Sequence, residues 1–258
     1  MGGGTHDDLI RDQFTRQAVP FSTAAPISDE RALAMIVAAG RPGPDDTVLD
    51  LACGGGLIIC AFAPHVRHAT GIDLTPAMLE RARALAAEKG LANVTWRQGD
   101  VRELPWADGG FDIVVTRFSF HHFEDPLGAL REMARVCRPG GRVVVVDMYA
   151  AEDKAKADAW NRLEVLRDPS HVRALSLSEL TALFPAADLP MPEVALHELR
   201  GEVRSLLARS FPLPGDAERI IALFAAQAER DSMGIEVRRD GEALHYAYRV
   251  AILTATRG

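Results

Sequence analysis

The sequence predicts an α/β fold built on a mostly parallel sheet with helices on both faces. Short β-rich runs recur at 47–51, 69–73, 94–98, 111–116 and 142–148. Helical patterns separate these runs at 57–63, 76–89 and 126–137. Strands that alternate with helices form βαβ units on a parallel sheet. The four consecutive valines at 143–146 suit a strand that is buried on both faces of such a sheet.

Local signals support the first helices. Ser28 and Asp29 are N-cap residues before a helical pattern that continues to residue 39. Pro76 suits the first turn of the helix at 76–89, and Gly90 suits its end.

The pattern changes after residue 150. Residues 152–183 and 202–232 are mostly helical in pattern. A turn at Asp240-Gly241 precedes a strand-like run at 244–255, which predicts an antiparallel hairpin.

The composition argues against several classes of function. The chain has 258 residues and a formal net charge of −7. It contains no basic stripe, so nucleic acid is not an expected partner. Three cysteines without CxxC spacing indicate reduced thiols and a cytoplasmic setting. We find neither a signal-peptide pattern nor an apolar run long enough for a membrane span, so no membrane association is expected.

The first predicted strand runs into a cluster of glycines, VLDLACGGG at 48–56. Ligands of open α/β sheets bind at the carboxyl ends of strands. No Gly-Lys-Ser/Thr follows Gly56, and GxGxxG would need glycines where Ala52 and Leu57 stand. Asp50 would repel a phosphate but suits a cation such as the α-ammonium of an amino acid. The alternative is a tight strand–helix turn that holds no ligand.

Two further carboxylates follow the next two strands. Asp73 ends the second strand, where a carboxylate can accept hydrogen bonds from both hydroxyls of a ribose. Asp100 ends the third strand and could accept a hydrogen bond from an exocyclic amino group. Each of these carboxylates alone is typical of a solvated loop. Acids at the ends of three successive strands predict a nucleoside site.

Residues 47–148 resemble the core of the class I S-adenosylmethionine-dependent methyltransferases, in particular those of ubiquinone and menaquinone biosynthesis. The resemblance lies in VLDLACGGG, GIDLTPAMLERAR, QGDVRELPWADGGFDIVVTRFSFHHFEDP and ALREMARVCRPGGRVVVVD. It implies a Rossmann-like sheet of seven strands in the order 3-2-1-4-5-7-6, whose last strand, YRVAILTA, is antiparallel. We expect a single domain over 1–258 with four parts: an N-terminal helical cap at 1–40, an S-adenosylmethionine-binding core at 41–150, a helical acceptor or lid region with a short strand at 151–235, and a C-terminal hairpin strand at 236–258.

The resemblance also implies which residues contact S-adenosylmethionine. The glycine loop would meet its methionine part, Asp73 its ribose and Asp100 its adenine amino group. The Arg117 carbonyl would accept a hydrogen bond from its ammonium. The full expected set is Asp50, Ala52, Cys53, Gly54, Gly56, Asp73, Leu74, Met78, Gly99, Asp100, Val101, Arg117, Phe118 and His122. Ala52 replaces the family's usual first glycine, a mild change if its φ is negative. Phe14 or Phe21 would replace the family's N-terminal aromatic residue, which is typically Tyr.

Candidates for a general base follow the fourth and fifth strands. Adjacent His121 and His122 are not both expected in the site; the resemblance favours His122 beside the cofactor, and the alternative for His121 is packing or capping. Asp147 ends the fifth strand, where it faces the acceptor or caps the next helix. His171 is the leading base candidate because the ordinary pKa of histidine suits neutral pH, and a capped turn is its alternative. Asp147, His121 and His171 form the expected catalytic set.

We expect Phe21, Tyr149, Asn161, Glu164 and Arg167 to line the acceptor site. A metal would need a third ligand beside His121 and His122, and only Glu124 is near in sequence, so no metal is expected.

The sequence thus predicts an enzyme that transfers a methyl group from S-adenosylmethionine to O, N or C of a small molecule, releasing S-adenosylhomocysteine. The resemblance suggests quinone or secondary-metabolite biosynthesis. The alternatives are S-adenosylmethionine-dependent chemistry without methyl transfer (a cyclase, decarboxylase or isomerase) and a non-catalytic binding module. A monomer or homodimer is expected.

Overall fold

A computed structural model of the chain describes residues 5–258, and within them eight strands form one sheet. The strands are β1 (Thr47–Leu51), β2 (His68–Asp73), β3 (Val94–Gln98), β4 (Phe111–Arg117), β5 (Cys137–Met148), β6 (Glu193–Glu202), β7 (Glu236–Asp240) and β8 (Ala243–Thr256). Their order is β3-β2-β1-β4-β5-β8-β6, with β7 paired to β8. Strands β1 to β5 pair in parallel, whereas β8 is antiparallel to β5, β6 and β7.

The predicted order is confirmed once the short strand β7 is set aside. Residues 250–256 of β8 pair with β5, and residues 243–247 pair with β7. The opposite edge of β8 pairs with β6 along residues 245–254. The hairpin predicted at Asp240-Gly241 therefore adds β7 beyond the end of β5, which makes the last strand the eighth.

The described residues form nine α-helices. They are α1 (His6–Ser22), α2 (Glu30–Gly40), α3 (Leu57–Phe62), α4 (Pro76–Glu88), α5 (Pro126–Val136), α6 (Lys154–Arg167), α7 (Leu177–Ala186), α8 (Val203–Ala208) and α9 (Asp216–Glu229). The segments predicted as mostly helical after residue 150 are each broken by a loop, at 168–176 and 209–215. No helix in residues 5–258 has the length and apolar character to cross a membrane.

Side-chain caps set the starts of several helices. The Asp29 carboxylate accepts a hydrogen bond from the Ala32 N–H at 2.8 Å and caps α2. Pro76 occupies the first turn of α4, where a missing N–H costs nothing. At α7, Ser176 and Glu179 form a reciprocal capping box.

The sheet separates two apolar layers because successive side chains of a strand point to opposite faces. In β5, Val144 and Val146 pack into one layer, and Val143 and Val145 pack into the other. All four are completely buried. The valine run is therefore covered on both faces, as its composition predicts.

Candidate active site

A cavity of about 280 Å³ lies at the carboxyl ends of β1, β2 and β4. We call it the main cavity. It brings together most of the residues that the sequence assigns to cofactor binding, together with one residue assigned to the acceptor. These are Phe21, Asp50, Ala52, Cys53, Gly54, Asp73, Leu74, Met78, Asp100, Val101, Arg117, Phe118 and His122.

Asp50 presents a buried carboxylate to this cavity. Its side chain is 1% exposed, and its Oδ1 has no hydrogen-bond partner among residues 5–258. Burial raises the pKa of Asp50 well above its ordinary value, a shift that the Arg117 guanidinium opposes and the Asp73 carboxylate reinforces. A cation in the cavity would supply the partner that these residues do not provide.

Asp73 is held rigidly by the loop after β1. Its Oδ2 accepts a hydrogen bond from the Gly54 N–H at 2.8 Å, and its Oδ1 accepts one from the Thr75 N–H at 2.8 Å. Burial raises the pKa of Asp73, although these hydrogen bonds act in the opposite direction. Each carboxylate oxygen keeps a further lone pair, so two ligand hydroxyls can bind side by side.

Asp100 lies at the outer rim and is already engaged. The Arg102 side chain donates to both of its carboxylate oxygens and also reaches Asp7 of α1 at 2.6 Å. Burial raises the pKa of Asp100, but the hydrogen bonds from Arg102 outweigh it and the net shift is downward. The sequence does not reveal this bridge between α1 and the end of β3.

Helix α1 covers the cavity. His6 Nε2 lies 2.8 Å from the His122 carbonyl oxygen. The Phe14 ring packs edge-on against Phe21 and against His122, with ring centroids 6.5 Å and 5.1 Å apart. Phe14 and Phe21 both line the main cavity, at the position where the resemblance expects an aromatic residue.

A smaller cavity of about 50 Å³ adjoins the main cavity, and we call it the inner pocket. Phe14, Phe21, Phe118 and His122 line both spaces. The remaining wall comes from α1 and the segment before α2, the turn after β4, the end of β5, the end of α6 and the loop after it, β6, α8 and the residues after it, and β8. Its other residues are Gln17, Ile27, His121, Met148, Arg167, Asp168, Leu199, Leu206, Arg209, Ser210, Tyr246 and Tyr248.

His121 and Asp147 form a buried pair at the wall of the inner pocket. His121 Nδ1 lies 2.6 Å from Asp147 Oδ1, and the His121 backbone N–H donates to Asp147 Oδ2 at 3.1 Å. Such a carboxylate orients the imidazole and makes Nδ1 the protonated nitrogen. His121 Nε2 has no hydrogen-bond partner within the described residues, so its lone pair is free to accept a proton.

Comparison with known proteins identifies the fold and the family. Residues 49–145 match the family described as "Methyltransferase domain". The chain is 33% identical over 243 residues to the uncharacterized methyltransferase YcgJ of Bacillus subtilis, covering 93% of this chain and 96% of YcgJ. The chain belongs to the class I S-adenosylmethionine-dependent methyltransferases.

Solved structures agree with this assignment. The YcgJ crystal structure superposes with a TM-score of 0.79 over 88% of this chain and 98% of YcgJ. A putative methyltransferase of Bacillus halodurans is 27% identical, also with a TM-score of 0.79, over 88% of this chain and 99% of that chain. The ubiquinone/menaquinone C-methyltransferase UbiE of Bdellovibrio bacteriovorus is 42% identical over 104 residues, which span 40% of this chain and 44% of UbiE. The likeness to UbiE is thus confined to the core.

The residues of the methyltransferase's main cavity fit S-adenosylmethionine. The unpartnered Asp50 oxygen suits the ammonium of the methionine part, and the open lone pairs of Asp73 suit the ribose hydroxyls. Leu74, Met78 and Val101 supply an apolar surface for a planar base. Because Asp50 and Asp73 are both buried at neighbouring strand ends, their carboxylates would also favour a cationic ligand over an anionic one.

Ala52 requires a correction. The substitution for glycine is mild only at negative φ, but Ala52 has a φ of 51°. Phe118, at the end of β4, is also left-handed with a φ of 55°. Left-handed backbone is strained for residues with a Cβ, and both residues line the main cavity. The turn after β1 is therefore strained at Ala52, and a glycine at this position would not be strained.

Gly56 and Gly99, expected at the cofactor, do not line either cavity. A Cβ on Gly56 would lie 2.6 Å from the Trp96 ring, and one on Gly99 would lie 2.8 Å from Ile72 Cδ1. These glycines allow side chains behind the site to approach the backbone.

The two adjacent histidines also depart from expectation. Both His121 and His122 line the inner pocket, because they lie in a 3₁₀ turn at Phe120–His122 instead of an extended strand. Their ring centroids are 4.3 Å apart. His122 Nδ1 lies 2.9 Å from the Ser170 carbonyl oxygen, and burial lowers its pKa, so the ring is neutral near pH 7.

His171 is not brought to either cavity. It is 4% exposed, and its Nε2 lies 2.8 Å from Asn161 Oδ1, while its buried Nδ1 has no partner in the described part of the chain. Burial lowers its pKa strongly, and His121 and His122 add to that effect. Asn161 in turn accepts a hydrogen bond from the Ala174 N–H at 2.7 Å, so this pair holds the loop after α6.

Glu164 and Tyr149 likewise line neither cavity. Glu164 is completely buried and accepts hydrogen bonds from Arg167 and from the Tyr248 hydroxyl at 2.6 Å. The Arg249 guanidinium lies 5.1 Å from the centre of the Tyr149 ring. Of the expected acceptor residues, only Phe21 and Arg167 reach the inner pocket, and Arg167 pairs with Glu164 rather than with Asp168.

Proposed function

We propose that this methyltransferase acts on a small, largely apolar molecule bound in the inner pocket. The observation that carries the proposal is the shared wall of the two cavities, formed by Phe14, Phe21, Phe118 and His122. A molecule in the inner pocket would therefore lie next to the cavity in which S-adenosylmethionine is proposed to bind. S-adenosylmethionine itself supplies the activated methyl group, so the protein contributes alignment and proton removal.

His121 is proposed as the general base. Its Nδ1 is held by Asp147, which leaves Nε2 to accept a proton from an O–H, N–H or acidic C–H group of the acceptor. Asp147 would then be a positioning residue that stabilises the protonated ring. This assignment replaces His171, which lies behind the pocket wall and is engaged by Asn161.

The N-terminal part of the chain is proposed to act as a cover. Helix α1 closes the main cavity through its contacts with His122 and Arg102. Closure would exclude water from the methyl group and hold the acceptor in line. The proposed size of the acceptor follows from this enclosure, because a macromolecule could not place a residue behind α1. Biosynthetic context, a cytoplasmic location and a monomeric or homodimeric state remain predictions.

The test is a methyl-transfer screen. The full chain is incubated with methyl-labelled S-adenosylmethionine and a panel of small phenols, enols, carboxylic acids and amines, and labelled products are separated by chromatography. We expect label in at least one small product with equimolar S-adenosylhomocysteine. Turnover of an acceptor without S-adenosylhomocysteine would instead support non-methylating chemistry. Label transferred only to protein or nucleic acid would contradict the proposal.

A further inference from the structure

The two arginines that line the inner pocket have different surroundings. Arg167 donates from Nε and Nη2 to Glu164 Oε2 at 2.8 Å and 2.7 Å. Arg209 forms no ion pair with any carboxylate in residues 5–258; its guanidinium donates one side-chain hydrogen bond, from Nη2 to the Tyr246 hydroxyl at 3.2 Å. A guanidinium has five N–H donors, so most of those on Arg209 are free.

Arg209 is nevertheless buried. It is 8% exposed and follows directly after α8, where its backbone N–H bonds to the Leu206 and Leu207 carbonyls. The guanidinium of Arg209 lines the inner pocket without a carboxylate partner among the described residues. Its free N–H donors are therefore available to an anion bound in that pocket.

The other ionisable groups around the pocket already have partners. Asp168 accepts hydrogen bonds from the Ser170 hydroxyl and backbone N–H. Asp147 holds His121, and Glu164 holds Arg167. Among the described residues at this wall, Arg209 is therefore the ionisable side chain with the most unused hydrogen-bonding groups.

Tyr246 adds a second free donor beside Arg209. Its hydroxyl accepts the hydrogen bond from Arg209, and its own O–H donates to no group within residues 5–258. A Cβ on Gly201 would lie 2.6 Å from the Tyr246 oxygen, so the glycine provides the space in which this hydroxyl sits. Guanidinium and phenol donors together suit an oxygen anion.

Other parts of the wall are apolar or aromatic. Ile27, Leu199 and Leu206 face the same space as Tyr248 and Phe14. We infer that Arg209 and Tyr246 bind an oxyanion of the methyl acceptor, so that the enzyme selects small apolar molecules bearing a carboxylate or enolate. This inference rests on the proposed function for the identity of the ligand, but the anion site itself can be tested without methyl transfer.

Binding is measured by calorimetry on the full chain saturated with S-adenosylhomocysteine. The probes are 4-hydroxybenzoate against 4-hydroxybenzamide for a carboxylate, and dimedone, an enolate at neutral pH, against 3,3-dimethylcyclohexanone. We expect at least one anion to bind about tenfold more tightly than its neutral counterpart. Arg209→Gln should abolish that preference, Arg209→Lys should retain part of it, and Tyr246→Phe should reduce it severalfold.

Arg204→Gln is the matched control, because Arg204 lies on α8 but is exposed. It should leave the preference for the anion unchanged. Equal binding of anions and neutral probes, binding of neither, or a preference that survives in a folded Arg209→Gln variant would overturn the inference. If anions bind through Arg209 but no acceptor is methylated, the proposed function fails and the anion site stands. If Arg209→Gln methylates its acceptors normally, the proposed function stands and the anion site fails.

Discussion

His121 and Asp147 lie on different segments of the chain yet form one buried unit, with Nδ1 and Oδ1 2.6 Å apart. His121 follows β4, and Asp147 lies near the end of β5, so the parallel pairing of these two strands creates the contact. The exposed fractions of their side chains are 3% and 1%. Water therefore competes little with the hydrogen bond. The contact with Asp147 fixes the orientation of the imidazole ring and of its free Nε2.

We predict that His121→Asn lowers kcat for an identified acceptor by about 10²–10⁴-fold, the usual contribution of a general base. Asp147→Asn should also lower kcat, because the amide no longer favours the tautomer with a free Nε2. Cofactor affinity, measured by calorimetry, should change little in both variants. His171→Asn is the control and should keep most of the wild-type kcat. Full activity of a folded His121→Asn variant would exclude His121 as base.

The fold of the core could be predicted from the sequence because its signals are local. The alternation of β-rich and helical runs defines β1 to β5, and the alternating burial of Val143 to Val146 follows from strand geometry. The turn at Asp240-Gly241 predicts the hairpin that contains strand β7, but the expected sheet of seven strands does not count this segment. Residues 236–240 are mostly polar, and their strand depends on pairing with β8.

The candidate site likewise contains residues that could be predicted from the sequence and residues that could not. Asp50, Asp73 and Asp100 could be found because each directly follows or ends a predicted strand. Arg209 and Tyr246 could not, since they meet only after α8 and β8 have packed together. Likewise, the polar turn around His171 looked suited to catalysis, but its loop folds inward and is held by Asn161.

A second prediction concerns the effect of the buried Asp50 carboxylate on the free energy of unfolding. Because burial raises its pKa, the folded state holds its proton more tightly than the unfolded state does, and ionisation at neutral pH destabilises the free protein. Asp50→Asn should raise the free energy of unfolding of the ligand-free protein by about 1–3 kcal/mol while weakening cofactor binding. Urea unfolding and calorimetry provide the two measurements.

The same carboxylate should make cofactor binding depend on pH. Acidification protonates Asp50 first because its pKa is raised, which removes the charge that attracts the ammonium. Affinity for S-adenosylhomocysteine should fall as the pH is lowered from 7.5, and this fall should be smaller in Asp50→Asn. An equal fall in both proteins would assign the pH dependence to another group.

A third prediction follows from the left-handed conformation of Ala52. Ala52→Gly removes about 1–2 kcal/mol of backbone strain but increases the entropy of the unfolded chain by up to about 1 kcal/mol. The net effect should be a free energy of unfolding that is unchanged or raised by about 1 kcal/mol. Ala61→Gly, within α3, should instead destabilise the protein by roughly 0.5–1 kcal/mol, as glycine does in helices. If Ala52→Gly lost as much stability as Ala61→Gly, the backbone at Ala52 would not be strained.

The last prediction concerns how α1 is held closed. Arg102 bridges Asp7 of α1 to Asp100, so Asp7→Asn removes the contact with α1, and Arg102→Ala removes that contact together with the pair to Asp100. Because the Arg102 side chain is 55% exposed, each change should cost less than about 1 kcal/mol of stability. Each should nevertheless speed cofactor release severalfold in stopped-flow experiments, and the double variant should release it no faster than Arg102→Ala alone. Salt should speed cofactor release from the wild type by screening the pair of Asp7 and Arg102.

Arg16→Ala, which breaks an exposed ion pair within α1, is the control and should leave the release rate unchanged. Additive effects of the two single changes would mean that Asp7 and Arg102 act on release separately.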